Sequence, residues 1–401
     1  MSETAGAREP DGKRLRILFL APQPFFEVRG TPLAVLAMVR ALIRLGHQVD
    51  LLTLPQGDPV DVPGLTHRRS LRLPVGRVGA GPSLAKMALD VPFLGEAVWR
   101  MGTGGYDVVH AVEEAAHLAA PFARLFGLPL VADVDSSIPD QLRYSGFAAR
   151  GPLPWAAEAL ERFALRRAAV VVTVCRSLTE GVRAQAPGVP VFQVEDPPLV
   201  DATDAPAREA VEALRRELGL GTAPVVLYSG NLEPYQGVDL LVDAAARVPE
   251  ARFVFMGGEA AQIQALRARA ATGGVSGSCV FAGPRPPSTL PLFLALSDVL
   301  ASPRRQGANT PFKIFTYLAS GRPLVATRIP THTQLLDDSL AFLVEPSAEG
   351  LAAGIRQALD HPGEATARAR RGQELIDREY SPARYQEKVR AAYEEVARRL
   401  G

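Results

Sequence analysis

Short apolar runs rich in valine and leucine alternate along this chain with longer stretches whose apolar residues recur at helical spacing. The runs Arg16–Leu20, Val49–Leu54, Asp107–Val112, Leu128–Val134, Ala169–Val174 and Val191–Val194 are expected to be strands. They are continuous rather than alternating, which suits strands covered on both faces and hence a parallel sheet between helices. The stretches Leu33–Leu45, Ser83–Met101, Glu113–Phe126 and Trp155–Arg167 supply those helices. Gly46 closes the first helix, and Gly127-Leu-Pro129 precedes the fourth strand.

The second half keeps the same rhythm. Strands are expected at Val225–Tyr228, Arg252–Met256, Cys279–Ala282, Val299–Ala301, Leu324–Ala326 and Phe342–Val344. Helices are expected at Ala207–Leu218, Val238–Arg247, Ala260–Ala270, Leu290–Leu296 and Phe312–Ala319. A last charged helix, Pro382–Leu400, sets Tyr385, Val389, Ala392 and Val396 near one face. Two prolines in Glu195-Asp-Pro-Pro-Leu-Val-Asp201 mark the boundary between the halves. The fold class is therefore α/β, with two Rossmann-like doubly wound domains. Parallel sheets bind ligands at the carboxyl ends of their strands, so two such domains facing each other imply a central cleft.

Length agrees, since 401 residues predict two domains that each bury a core. Lysine and arginine total 44 against 43 acidic residues, a net charge of +1, which argues against nucleic acid as a partner. The only cysteines, Cys175 and Cys279, lie far apart, so a zinc cluster or disulfide framework is excluded and a reducing compartment expected. No apolar run approaches the roughly 18–20 residues of a spanning helix. The polar start, residues 1–14, reads as a disordered tail without a secretory core. A cytoplasmic chain follows. Neither G-x-G-x-x-G nor the P-loop pattern occurs, which disfavours a dehydrogenase or a P-loop kinase.

Several segments together resemble glycosyltransferase family 4, retaining sugar transferases of the GT-B fold, over about residues 15–397. Ile17-Leu-Phe-Leu-Ala-Pro22, Arg29-Gly30-Thr31-Pro32 and Leu45-Gly46-His47-Gln48-Val49 resemble that family's first strand, glycine-bearing loop and approach to the second strand. Leu227-Tyr-Ser-Gly-Asn231 through Gln236-Gly-Val-Asp-Leu-Leu241 resembles the opening of its donor domain. Phe281-Ala-Gly283, Ser297-Asp298-Val299 with Ser302-Pro303, and Tyr317 through Thr327 follow in family order. The resemblance implies an acceptor-side domain at 15–198, a nucleotide-sugar-donor domain at 199–380, and a helix at 381–401 packing back on the first domain. It implies no metal and no cofactor, the nucleotide sugar being a substrate.

Gly30 and Thr31 open a helix and could bring backbone amides to a phosphate, with Arg29 beside them. They also suit a plain turn with Thr31 as cap. The sequence departs from the family at three places. Where the family carries two glutamates eight residues apart, this chain has Ala308 and Thr316, with Asn309, Thr310 and Lys313 crowded between. A cation in a helix's first turn opposes the dipole, so an anion partner would account for Lys313. Where the family grips the diphosphate with arginine and lysine, this chain has Asn231 and Gln236. Gly230 and Gly237 keep the loop's shape, and Lys313, Arg304 and Arg305 are the cations expected to substitute.

Third, Asp135 occupies the strand end where the family places a histidine. It is a candidate sugar or acceptor contact, a base, or a structural cap. Asp133 and Asp135 share a face but lack a third metal ligand. His110 is a candidate catalytic group at another strand end, and His332 a candidate near the diphosphate. Arg68, Arg69, Arg72, Arg77 and Lys86, set among Leu71, Leu73 and Val75, suit either a solvated loop or peripheral contact with an anionic inner-membrane face carrying a lipid-linked acceptor. The reading is a transferase moving a sugar from a nucleotide-activated donor to a carbohydrate or lipid-linked acceptor. The alternatives are a non-catalytic sugar- or nucleotide-binding relative and a GT-B epimerase or phosphorylase.

Overall fold

The run at Arg16 becomes the middle of a parallel sheet because its side chains, from Ile17 to Pro24, are buried on both faces. The computed structural model describes residues 13–27, 30–76, 84–136, 152–200 and 206–400. Arg29, Arg77 and residues 1–12 of the expected tail therefore lie outside the described residues. The chain divides into two units, residues 1–195 with 386–401 and residues 196–385.

The first unit holds β1 (Arg16–Pro24), β2 (Gln48–Leu54), β3 (Leu65–Arg69), β4 (Val108–Val112), β5 (Leu130–Val134), β6 (Val170–Thr173) and β7 (Val191–Gln193). Their order is β3-β2-β1-β4-β5-β6-β7, with every pairing parallel. The helix Glu114–Leu125 lays Ala115, Ala116, Ala119, Ala120 and Ala123 in the core, and small residues there let it approach closely. The helix Pro382–Leu400 ends in this unit. Gln386 Nε2 donates to the Ala41 carbonyl at 2.9 Å, and Lys388 pairs with Glu195.

The second unit repeats the plan with β8 (Val225–Ser229), β9 (Arg252–Met256), β10 (Cys279–Gly283), β11 (Val299–Ser302), β12 (Leu324–Thr327) and β13 (Phe342–Val344). Their order is β10-β9-β8-β11-β12-β13, again all parallel. Both sheets are doubly wound Rossmann-like sheets, as expected. Among the described residues no helix is long and apolar enough to cross a membrane.

Some elements were not legible. The helices Arg176–Gln185 and Ala348–Asp360 follow the expected strands β6 and β13, and Pro362–Leu375 follows the second of these helices. Another is β3, whose Leu65-Thr-His-Arg-Arg69 has one apolar residue in five. It is an edge strand whose ladder comes from β2, and its basic side chains are of the kind that blunt an edge against pairing with another chain. This corrects the reading of Arg68 and Arg69 as loop residues. The basic cluster also comes apart. Arg69 donates to the carbonyls of Phe25 and Asp58, at 3.1 and 2.9 Å, and Lys86 is half-buried against Glu114.

Candidate functional site

In each sheet, strand order reverses at one place, between β1 and β4 in the first unit and between β8 and β11 in the second. Crossover helices leave on opposite faces there, opening a crevice at the strands' carboxyl ends. Some of the residues singled out from the sequence lie at these two places and others do not.

In the second unit the chain leaving β8 turns through Gly230 and Asn231 into a short 3-10 turn, Pro234–Gln236. The eight-residue helix Phe312–Ala319 points its first turn at the same place. Lys313 leaves that turn and lies with Nζ 3.8 Å from the centre of the Tyr228 ring. Gln236 Oε1 accepts its hydrogen bond at 3.3 Å. Among the described residues no carboxylate pairs with Lys313. Burial, and secondarily the Arg304 guanidinium, hold its ammonium well below the usual lysine range. Such a half-desolvated cation gains most from an anion, which would restore its charged form.

The surrounding groups fix this geometry. Gly230 sits at φ +137°, a conformation side chains rarely adopt, and a Cβ there would lie 2.9 Å from Lys313 Nζ, so a side chain at this position would displace the lysine. Tyr228 is wholly buried, and burial pushes its phenol well above the usual range, so it stays neutral and donates to the Asn231 carbonyl at 2.5 Å. Asn231 holds the loop from within. Its Oδ1 accepts from the Glu233 amide at 3.3 Å, and its Nδ2 donates to Tyr235 Oη at 3.4 Å. Thr310 is buried just ahead of the helix Phe312–Ala319.

Two of the expected substitute cations are used differently. Arg304 Nε donates to the Gln306 carbonyl at 2.8 Å, and its terminal nitrogens reach the Asn309 carbonyl and Oδ1 at 3.2 and 3.1 Å. It thereby shapes the loop ahead of Lys313, and Asn309 is its partner there. Arg305 pairs with Asp239 at 2.8 Å. Thr316 needs correction as a donor contact, because its hydroxyl is buried and accepts from the Leu199 amide at 3.0 Å. His332 is corrected likewise. It is fully buried, Nδ1 faces the Thr327 carbonyl at 2.7 Å and Nε2 the Ser302 hydroxyl at 2.9 Å. With both nitrogens engaged, it braces β11 against β12. Burial lowers its pKa to about 3.

In the first unit His110 is fully buried on β4, stacked on Phe19 with ring centres 4.2 Å apart. Its Nδ1 meets Tyr393 Oη at 2.8 Å and its Nε2 meets Asp133 Oδ2 at 3.0 Å. Burial, then the Asp133 charge, holds the Tyr393 phenol well above its usual range. One tautomer satisfies the chain, with Tyr393 donating to Nδ1 and Nε2–H donating to Asp133. No nitrogen is left for a substrate, so His110 is corrected from a catalytic to a positioning group. Asp135 is buried immediately past β5. Gly30 begins the helix Gly30–Arg44, and a Cβ there would meet nothing within 4 Å, so sterics do not demand this glycine.

Sequence reasoning missed the residues that join these strand ends. Glu113 follows β4, with Oε1 accepting from Ser136 Oγ at 2.7 Å and Oε2 from Gln23 Nε2 at 3.2 Å. Its φ of +50°, rare for a residue with a side chain, is invisible in the string Val-Glu-Glu. Tyr228, beneath Lys313, read only as strand.

Residues 29–195 match the family described as glycosyl transferase 4-like domain, and residues 223–361 the family described as glycosyl transferases group 1. The GDP-mannose-dependent alpha-(1-6)-phosphatidylinositol monomannoside mannosyltransferase of Mycolicibacterium smegmatis is 35% identical over 43% of this chain and 49% of its own length. The match thus spans about half of that relative. The alpha-D-kanosaminyltransferase of Streptomyces kanamyceticus is 25% identical over 72% of this chain and 77% of its own. Among solved structures, Anabaena HepE in complex with UDP-glucose aligns over 95% of this chain and 100% of its own, with a TM-score of 0.76 and 17% identity. That likeness concerns the fold.

Proposed function

The chain belongs to the family 4-like glycosyltransferases, and from that premise we propose that it transfers a glycosyl group from a nucleotide-activated donor to an acceptor hydroxyl. The observation that carries the proposal is Lys313, a half-buried cation at the β8–β11 reversal whose one hydrogen-bond partner among the described residues is the neutral Gln236. In the transfer the bond between the anomeric carbon and the diphosphate oxygen breaks as the bond to the acceptor oxygen forms. Charge grows on the departing diphosphate, and a fixed cation aimed at that charge lowers the barrier. The acceptor's proton leaves with that diphosphate oxygen.

The proposal gives the diphosphate to Lys313 with the backbone about Gly230 and Asn231, and Gln236 holds the lysine in place. Gly30, Thr31 and Arg29 are proposed to face a phosphate or the acceptor at the first helix's start, and Asp135 to contact the sugar or acceptor. Retention of anomeric configuration and independence of a metal complete the proposal, as the family resemblance implies. The mannosyltransferase relative, whose name places its acceptor on a phosphatidylinositol mannoside, supports a carbohydrate or lipid-linked acceptor.

Peripheral membrane contact belongs to the same reading, on a different surface from the one the sequence suggested. The helix Leu84–Thr103 buries Leu89, Phe93, Ala97 and Met101 on one face. On the opposite face Leu84, Val91 and Trp99 are 73%, 72% and 60% exposed, with Met87 half-exposed among them. A helix apolar on both faces has a partner for each.

Incubating the protein with a panel of nucleotide sugars, and following nucleoside diphosphate release with and without candidate acceptors, tests the activity. Acceptor-dependent release with one donor, surviving a chelator and abolished in Lys313→Met, is expected. Nucleotide-sugar binding without turnover on any acceptor would overturn the enzymatic reading.

A further inference from the structure

The place where strand order reverses in the first sheet carries a second arrangement of polar groups. Gln23 is the last residue but one of β1, Glu113 follows β4 and Ser136 lies just past β5, so three neighbouring strands deliver one side chain each. The Glu113 carboxylate lies between the other two, accepting from Ser136 Oγ at 2.7 Å and Gln23 Nε2 at 3.2 Å. Its amide donates to the Asp133 carbonyl at 2.8 Å, which ties the end of β4 to β5.

Gln23 supplies the decisive observation. The residue is only 8% exposed, and its Oε1 has no hydrogen-bond partner among the described residues. Turning the amide over would set Oε1 against the Glu113 carboxylate, two acceptors face to face, so the orphan is fixed by the bond Nε2 makes. A buried acceptor left without a donor is costly, and such groups in folded chains call for an explanation. Carboxylate oxygens keep lone pairs after accepting one bond each. Even with Ser136 and Gln23 donating to the carboxylate and the Lys86 ammonium bearing on it, the cluster keeps acceptor capacity to spare, as adjacent hydroxyl groups require.

Glu113 itself is held at φ +50° and ψ −126°, a conformation suited to glycine. A side chain kept there against that strain does something glycine cannot. We propose that Gln23, Glu113 and Ser136 form a binding site for the vicinal hydroxyls of a polyol or sugar. Its role as the seat of the acceptor rests on the transferase reading; the binding itself does not.

The test is saturation-transfer NMR on the full chain with myo-inositol and methyl α-mannoside as probes and cyclohexanol, with its single hydroxyl, as control. Both polyols should respond and cyclohexanol should not. Gln23→Leu removes the orphan acceptor, and Glu113→Gly relieves the backbone while deleting the carboxylate. Each should weaken polyol binding about tenfold or more. Thermal midpoints are measured alongside, since each variant also breaks a bond within the cluster; loss of polyol binding while the variant stays folded at the assay temperature assigns the residue to the ligand. Absence of a polyol response in the parent chain, or undiminished binding in Gln23→Leu, would overturn the proposal. Nucleoside diphosphate binding measured on the same samples reports separately on the Lys313 site, so either reading can fail alone.

Discussion

Lys313 Nζ lies 3.8 Å from the centre of the Tyr228 ring, and both groups stand where β8 meets the reversal of strand order. The aromatic face stabilises a cation without neutralising it, which leaves its charge for a ligand. Replacing Lys313 by methionine keeps the length and the ring contact but deletes the charge. The loss of a charge-assisted bond of about 1.5–3 kcal/mol should weaken nucleoside diphosphate binding roughly ten- to hundredfold by calorimetry. Equal affinity would remove Lys313 from the site.

The same lysine predicts a proton signature. Its folded pKa is depressed, so the unfolded chain binds more protons than the native one below the usual lysine range. The unliganded fold therefore loses stability as pH falls from that range through the folded value. A diphosphate beside the ammonium restores the charged form. Binding should accordingly take up protons at pH values between the depressed folded value and the usual lysine range, seen as heats that change with buffer ionisation enthalpy. Lys313→Met should lose that dependence.

Gly237 turns the chain between the 3-10 turn and the helix Val238–Ala244 at φ +66°. A Cβ there would stand 2.2 Å from the Pro303 carbonyl oxygen, which is backbone and has little room to yield. Gly237→Ala should cost more than about 2 kcal/mol through strain and collision together. Gly363, in a helix with nothing within 4 Å of its would-be Cβ, is the control. Gly363→Ala should be neutral or stabilising in thermal unfolding.

His332 makes the second unit sensitive to acid. Its pKa is lowered to about 3, chiefly by burial, against an unfolded value near 6.5. Between those values the unfolded chain binds a proton the native one refuses, so stability is lost as pH falls from about 6.5 toward about 3. Above that window the residue contributes no slope. His332→Gln should be less stable at neutral pH by about 1–3 kcal/mol, because one amide replaces the ring poorly between Ser302 and Thr327. It should also unfold with a flatter acid dependence, which denaturation at several pH values would reveal.

Much of this architecture was readable because two-sided burial writes itself as unbroken apolar runs, as at Val225–Ser229 and Leu130–Val134. The edge strand Leu65–Arg69 was not, since its pairing is made by backbone and leaves no apolar trace. Lys313 stood out because a cation opposes the dipole of its own helix. His110 and His332 look identical in sequence to substrate-facing histidines. Only the distances to Tyr393, Asp133, Ser302 and Thr327 show that their nitrogens are taken. Gln23 and Glu113 are ninety positions apart, and no local pattern announces their meeting.

The outward face of the helix Leu84–Thr103 carries the last prediction. Leu84, Met87, Val91 and Trp99 fall within about a third of a turn of one another at 100° per residue, opposite the buried face. The helix Glu114–Leu125 ends beside this one, where the Phe126 ring lies 3.1 Å from the position a Cβ on Gly102 would take, and exposed Leu125 extends the apolar surface. Burial of such side chains in a bilayer interface would be driven by area and little affected by salt. Sedimentation with anionic vesicles should therefore persist at high ionic strength and fall sharply in Val91→Glu with Trp99→Glu. Pelleting that vanishes with salt alone would instead assign the contact to the exposed arginines at Arg68 and Arg72, and no pelleting at all would end the membrane reading.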